Sequence, residues 1–147
     1  MYVMYALAPT TGLAILWPFM AHAALVFALY ALLTLERTSA IRAGKATSGT
    51  FEFGREEPSE IARITRNLAD QFELPMLFYA AVLILMQLHA VLVIDVLLGW
   101  LFVMGRVVHT AVQTLTGNFP LRGKIFMINF LAVAGLLAHL LVLMISA

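Results

Sequence analysis

The stretch Glu60-Ile-Ala-Arg-Ile-Thr-Arg-Asn-Leu-Ala-Asp-Gln-Phe-Glu-Leu-Pro75 runs without a break into the apolar segment Met76-Leu-Phe-Tyr-Ala-Ala-Val-Leu-Ile-Leu-Met86. Taken as one helix turning by about 100° per residue, it places Asp70 about 40° to one side of Arg66, Glu73 about 20° to the other, and Arg63 about 60° away. Arg63, Arg66, Asp70 and Glu73 therefore share one stripe, inside a membrane span or at its edge. In lipid, such a stripe faces a partner helix, a water-filled cleft or a ligand.

The composition around this stretch permits little else. Of 147 residues, 63% are hydrophobic and 12% are charged. A soluble domain carries about half apolar and about a quarter charged residues, so the class is an integral membrane protein. A net charge of +1 marks no acidic or basic partner. No basic patch interleaved with aromatics points to nucleic acid. The chain has no Cys, which removes disulfides, Cys-ligated metals and a protein thiol nucleophile. Any thiol chemistry here uses the thiol of a substrate.

On the N-terminal side, residues 12–35 form the first expected span, about 24 residues and thus long enough for a hydrocarbon core of about 30 Å. Pro18 inside it is expected to kink the helix. His22 is expected to make an interhelical hydrogen bond. Ala21-His22-Ala23 resembles a signal-peptidase site, but no Lys or Arg precedes it, so the segment is expected to remain as a helix. Residues 36–59 read as a polar loop carrying Arg37, Arg42, Lys45 and Arg55, broken by Gly44, Gly49, Gly54 and Pro58. Ser59 suits an N-cap.

The second helix is expected over about 60–87, bent at Pro75. Leu88-His89-Ala90 reads as a tight turn. The third helix is expected over about 92–115, with Asp95 near its positive end. Thr116-Gly117-Asn118-Phe119-Pro120 is a strong turn signal. The fourth helix, about 121–145, carries Asn129 and His139 as isolated structural polar groups. The expected fold is an all-α membrane four-helix bundle. Lys and Arg lie in the first connection and, after the third span, at Arg122 and Lys124. The positive-inside rule then puts loop 36–59 in the cytoplasm and both termini outside, in what we expect to be a bacterial inner membrane.

The third helix has a polar stripe of its own, Arg106, His109, Thr110 and Gln113, at the i, i+3, i+4, i+7 spacing that gathers one helical face. With Arg37, Arg63, Arg66, Asp70, Glu73 and Arg122 it brings polar groups from four helices to one membrane depth. The arginines suit carboxylates or phosphates, and the acids suit an ammonium group. A zwitterionic amphiphile or peptide satisfies both. Metal binding is not expected, because no HxxxH or ExxH pair occurs. No nucleophile elbow is present.

These residues resemble the MAPEG family, membrane-associated proteins in eicosanoid and glutathione metabolism that include the microsomal glutathione transferases. The family's second-helix pattern, Arg-Ala-x-x-Asn-x-x-Glu with a nearby Pro, looks similar to Arg66-Asn-Leu-Ala-Asp70-Gln-Phe-Glu73-Leu-Pro75. Arg106-Val-Val-His109 resembles its Arg-x-x-(His/Tyr) stretch, and Arg122 its following basic residue. In this register Asp70 replaces the Asn, and Pro75 comes one residue early. His109 and Gln113 stand where glutathione-using eicosanoid enzymes carry Tyr.

The resemblance implies a homotrimer of four-helix bundles with glutathione between subunits at the cytoplasmic side. Arg66 and Glu73 would grip the tripeptide's charged ends. Arg37, Arg63, Asp70, Arg106, His109 and Gln113 would contribute, and Arg122 would stabilise the thiolate. A lipophilic electrophile or hydroperoxide would be the second substrate, and membrane lipid the surrounding partner. Two other readings are a non-catalytic lipid- or amphiphile-binding protein and a small transporter subunit. The second is disfavoured because the charges occupy one side of the membrane only.

Overall fold

A computed structural model describes residues 6–52, 57–116 and 119–146. Gly54, Arg55, Gly117 and Asn118, singled out above, lie outside the described residues. The fold is all-α: among the described residues four helical segments, Gly12–Arg42, Ser59–Gln87, Val93–Leu115 and Pro120–Ser146, are long and apolar enough to cross a membrane.

A 3-10 turn over Gly12–Ile15 leads into α1, Leu16–Arg42. Pro18 therefore falls in the first turn of the α-helix proper, where a missing N–H is tolerated, and not in the middle of a kinked span. α1 also runs past the expected end at Leu35. Glu36 to Arg42 is polar but contains no helix breaker, and polarity alone does not end a helix. The stop comes at Gly44, which has φ 69°. Its N–H donates to Ile41 O at 3.0 Å and that of Lys45 to Ala40 O at 2.9 Å. This is the paired C-terminal closure that a left-handed residue permits. The connection is correspondingly shorter than expected.

α1 is apolar on all sides as far as Leu35 but buries one stripe, Pro18, His22, Leu29 and Leu33, continued by Ala40. Trp17 and Phe27 stay 72% and 76% exposed on the single chain, as expected for surfaces that meet lipid or another subunit.

The helix expected over 60–87 is not continuous. α2 spans Ser59–Ala69, a 3-10 turn covers Asp70–Phe72, and α3 spans Leu74–Gln87. The break falls at Glu73, with φ −93° and ψ −96°. Pro75 sits in the first turn of α3 and so restarts the helix instead of bending it. Pro58, not Ser59, occupies the N-cap position of α2. α3 closes at Leu88, His89 and Ala90. His89 takes φ 52°, and the Ala90 N–H donates to Leu85 O at 3.0 Å.

α4, Val93–Leu115, follows directly, with the Asp95 carboxylate accepting the Leu92 N–H at 2.8 Å. The same carboxylate contacts His139 Nδ1 at 3.0 Å, tying α4 to α5, Phe119–Ser146. The lead segment docks at this end of the molecule, with Thr10 N–H on Val91 O and Val93 N–H on Ala8 O, both at 3.1 Å.

Two apolar cores result. One joins α3, α4 and α5 through Phe78, Val82, Leu85, Phe102, Val133 and Leu136, with the Phe78 and Phe102 rings stacked at 4.4 Å between centroids. The other seats the amphipathic α2 on α1 through Leu29, Leu33, Ile61, Ile64 and Leu68. Along α1 and α2–α3, a buried polar layer separates them.

Candidate functional site: a polar layer and the groove beside it

Ile64, Asn67, Leu68 and Gln71 follow the i, i+3, i+4, i+7 spacing of one helical face, which turns Asn67 and Gln71 inward with the apolar residues. The interruption after Ala69 leaves the Asp70 carbonyl accessible, and Arg106 of α4 reaches it with Nη2 at 2.8 Å. Arg106 Nε donates to Gln71 Oε1 at 3.0 Å. The Gln71 amide nitrogen donates to Asn67 O at 3.1 Å and to Asn67 Oδ1 at 3.2 Å. Thr110 Oγ1 donates to Asn67 Oδ1, and Asn67 Nδ2 to Gln113 Oε1, both at 3.0 Å.

From α1, His22 Nε2 meets Gln71 Oε1 at 3.1 Å and Nδ1 meets the Tyr79 hydroxyl at 2.6 Å. An amide oxygen only accepts, so His22 Nε2 carries the proton and Nδ1 accepts from Tyr79. His22 and Asn67 are fully buried, and Gln71 and Arg106 are each 1% exposed. A buried guanidinium is tolerable only when its donors are spoken for, and here the Nε/Nη2 edge is.

Beside this layer lies a groove of about 610 Å³. Arg66, Asp70, Glu73, Arg106, His109 and Arg122 line its polar part, and Leu74, Leu77, Phe126 and Phe130 its apolar part. The break between α2 and α3 supplies the acids, α4 supplies Arg106 and His109, and the start of α5 supplies Arg122. His109 is 3% exposed and its Nδ1 has no hydrogen-bond partner in the protein. Asp70, Arg106 and Arg122 are its charged neighbours. Such a constellation can hold a ligand with both carboxylate and ammonium groups while its apolar wall takes a lipophilic body.

Six of the residues expected from sequence thus meet in one groove. Three do not line it. Arg37 pairs with Glu57, donates to Thr65 Oγ1 at 3.3 Å, and lies 4.9 Å over the Phe51 ring. Its charge fastens the first connection to α1 and α2. Arg63 is exposed on the outer face of α2. Gln113 is buried one turn beyond His109, holding Asn67. The opening stripe of charges faces away from the bundle interior: Arg63, Arg66 and Glu73 are exposed on the single chain.

The inward polar residues of this helix, Asn67 and Gln71, are the ones that charge-based reasoning passed over, as was Tyr79. Their signal was the interruption of the Ile61, Ile64, Leu68 face by two carboxamides four residues apart. Among the described residues, no three His, Asp or Glu side chains are grouped as a metal site.

Fold and groove together define a four-span helical membrane protein with a charged, part-apolar cleft at one end. A family model described as the MAPEG family matches residues 9–142, and the chain belongs to that family. No curated protein and no solved structure matches it. Membership associates the chain with membrane glutathione or eicosanoid metabolism in general terms.

Proposed function

We propose that the protein is a glutathione-dependent membrane transferase or peroxidase acting on lipophilic electrophiles or hydroperoxides. The observation that supports this best is the groove, in which three arginines and two acids lie next to an apolar wall. Glutathione offers two carboxylates, one ammonium group and one thiol. Arg66 and Arg106 are matched to the carboxylates, Asp70 and Glu73 to the ammonium. Arg122 is the cation beside the thiol, where positive charge favours the thiolate. His109 lines the groove beside Arg106.

Leu74, Leu77, Phe126 and Phe130 form the surface for the second substrate, which reaches it from the bilayer. In transfer, the thiolate sulfur bonds to the electrophilic carbon and the leaving group departs with its electron pair. In peroxide reduction, the sulfur attacks the terminal oxygen, releasing an alcohol. A second glutathione then yields the disulfide and water. We place the groove at the cytoplasmic side and between subunits of a homotrimer, where the exposed Arg63, Arg66 and Glu73 face a neighbouring copy.

The test is glutathione binding by titration calorimetry at millimolar ligand, with turnover of an aryl halide and a lipid hydroperoxide by the detergent-purified protein. Binding and turnover are expected in the wild type. Arg66→Ala is expected to raise the KM for glutathione about tenfold, the loss of one charge-assisted hydrogen bond. A protein that binds no glutathione but retains an amphiphile through purification would overturn this reading in favour of a non-catalytic binding protein.

A further inference from the structure

We infer that His22 and Gln71 are positioning residues for Arg106. A residue of α1, a helix whose described residues line no part of the groove, thereby sets the orientation of a guanidinium that does line it. The functional consequence rests on the glutathione reading above; the positioning itself rests on geometry alone.

Arg106 is 1% exposed, so bulk water does not hold its head group. Two contacts fix the plane of the guanidinium, Nε on Gln71 Oε1 at 3.0 Å and Nη2 on the Asp70 carbonyl at 2.8 Å. With that edge committed, the Nη1 end is what the side chain has left to offer a ligand. The Asp70 carbonyl belongs to the backbone and cannot be retuned, whereas Gln71 is a side chain that must itself be held. Its oxygen receives two donors, Arg106 Nε and His22 Nε2, the latter at 3.1 Å. An amide flip would set NH₂ against both.

His22 is held in turn by the Tyr79 hydroxyl at 2.6 Å and by the Phe102 ring at 5.4 Å between centroids. Tyr79, His22, Gln71 and Arg106 form one run of hydrogen bonds from the α1–α3 contact to the groove wall, in which Tyr79 donates to His22, and His22 and Arg106 both donate to the Gln71 oxygen. A group at a binding site is only as well placed as the residues behind it.

Three variants decide the matter. Gln71→Leu keeps the bulk and deletes the acceptor. His22→Leu deletes the donor. His22→Gln carries an N–H to the same place. One readout is NMR of the protein labelled at arginine ¹⁵Nε, with the Arg106 signal assigned by its absence from Arg106→Met. The wild-type Arg106 Nε–H is expected to exchange slowly with solvent. Gln71→Leu and His22→Leu are expected to shift the signal and speed its exchange, and His22→Gln to restore it.

The second readout is kinetic. The KM for glutathione is expected to rise about 10-fold or more in Gln71→Leu and about 5-fold in His22→Leu, in line with a lost hydrogen bond to a charged group. The KM of the lipophilic substrate should stay unchanged, and His22→Gln should return within about 2-fold of wild type. An Arg106 signal unaltered in His22→Leu and Gln71→Leu would overturn the inference, whatever the kinetics do. If Gln71→Leu does not fold, the pair at position 22 decides alone. Should the wild type bind no glutathione, the kinetic arm falls with the functional reading, and the NMR arm still tests the positioning.

Discussion

Arg106→Met is expected to lower kcat/KM for glutathione by about 10- to 100-fold, mainly through KM, the size of effect that follows loss of a charge-assisted contact with a bound carboxylate. Its thermal stability is expected to stay within about 1 kcal/mol of wild type. The two expectations come from the same facts. Arg106 is buried to 1% exposure, and carrying a guanidinium to that depth offsets much of what its hydrogen bonds return. Met fills similar length without the charge. Gln71 Oε1 keeps its bond from His22, and only the Asp70 carbonyl loses a partner.

Arg106→Lys separates charge from geometry. A single ammonium cannot reproduce the Nε and Nη2 contacts together. Arg106→Lys is therefore expected to recover little of the lost activity, although it restores the charge. Steady-state kinetics and thermal denaturation of the three proteins in one detergent test this. Wild-type kinetics in Arg106→Met would mean that the groove is not where glutathione acts. Equal activity of the Lys variant and wild type would mean that charge, and not the fixed plane, matters.

Periodicity and charge reveal different parts of this structure. α4 is legible from sequence because its polar stripe has one helical spacing and no interruption: Arg106, His109 and Gln113 are all buried on the side facing α2 and α5. The second span is harder to read. Pro75 announces a disturbance, yet the break lies at Glu73, upstream of the Pro, and 100° bookkeeping fails across it. The charges of this span do not occupy the bundle interior, and Arg66, Asp70 and Glu73 line the groove instead. The interior positions are held by Asn67 and Gln71, neutral groups whose burial is less costly than that of an ion. The charges of α2 lie outward, where a groove and other surfaces meet them.

Arg37 illustrates a different limit. Nothing in its own neighbourhood of sequence reveals that Glu57, across the connection, uses its charge. The same is true of His22, whose partners Tyr79 and Gln71 come from the second span. Long-range pairing of this kind follows from how the helices pack, which periodicity does not specify.

α4 and α5 both line the groove, and they approach closely at Gly105. Gly105→Ala is expected to cost about 2–3 kcal/mol, the range for overpacking a filled interior. A Cβ there would stand 1.9 Å from Asn129 Oδ1 and 3.0 Å from its Cγ, so the α5 side chain or the helix itself must shift. In an open helix the same change would stabilise by about 1 kcal/mol through propensity. The contact therefore decides the sign.

Asn129 is fully buried, and neither atom of its amide has a hydrogen-bond partner. Asn129→Ala should accordingly lose little stability, because an unsatisfied buried amide is itself unfavourable by about 1–3 kcal/mol. In the double variant, the new methyl at 105 occupies space that the amide has vacated. The pair is expected to couple by about 2–3 kcal/mol, returning the double variant close to wild type. Activity should follow the same pattern. Gly105 precedes Arg106 on α4, and Arg122 and Phe126 face the groove from α5, so pushing the helices apart misaligns the polar groups before it unfolds the chain. Denaturation in mild detergent and glutathione kinetics across the four proteins of the cycle measure both effects. Additive single-variant effects would show that the close approach at Gly105 does not set the α4–α5 separation.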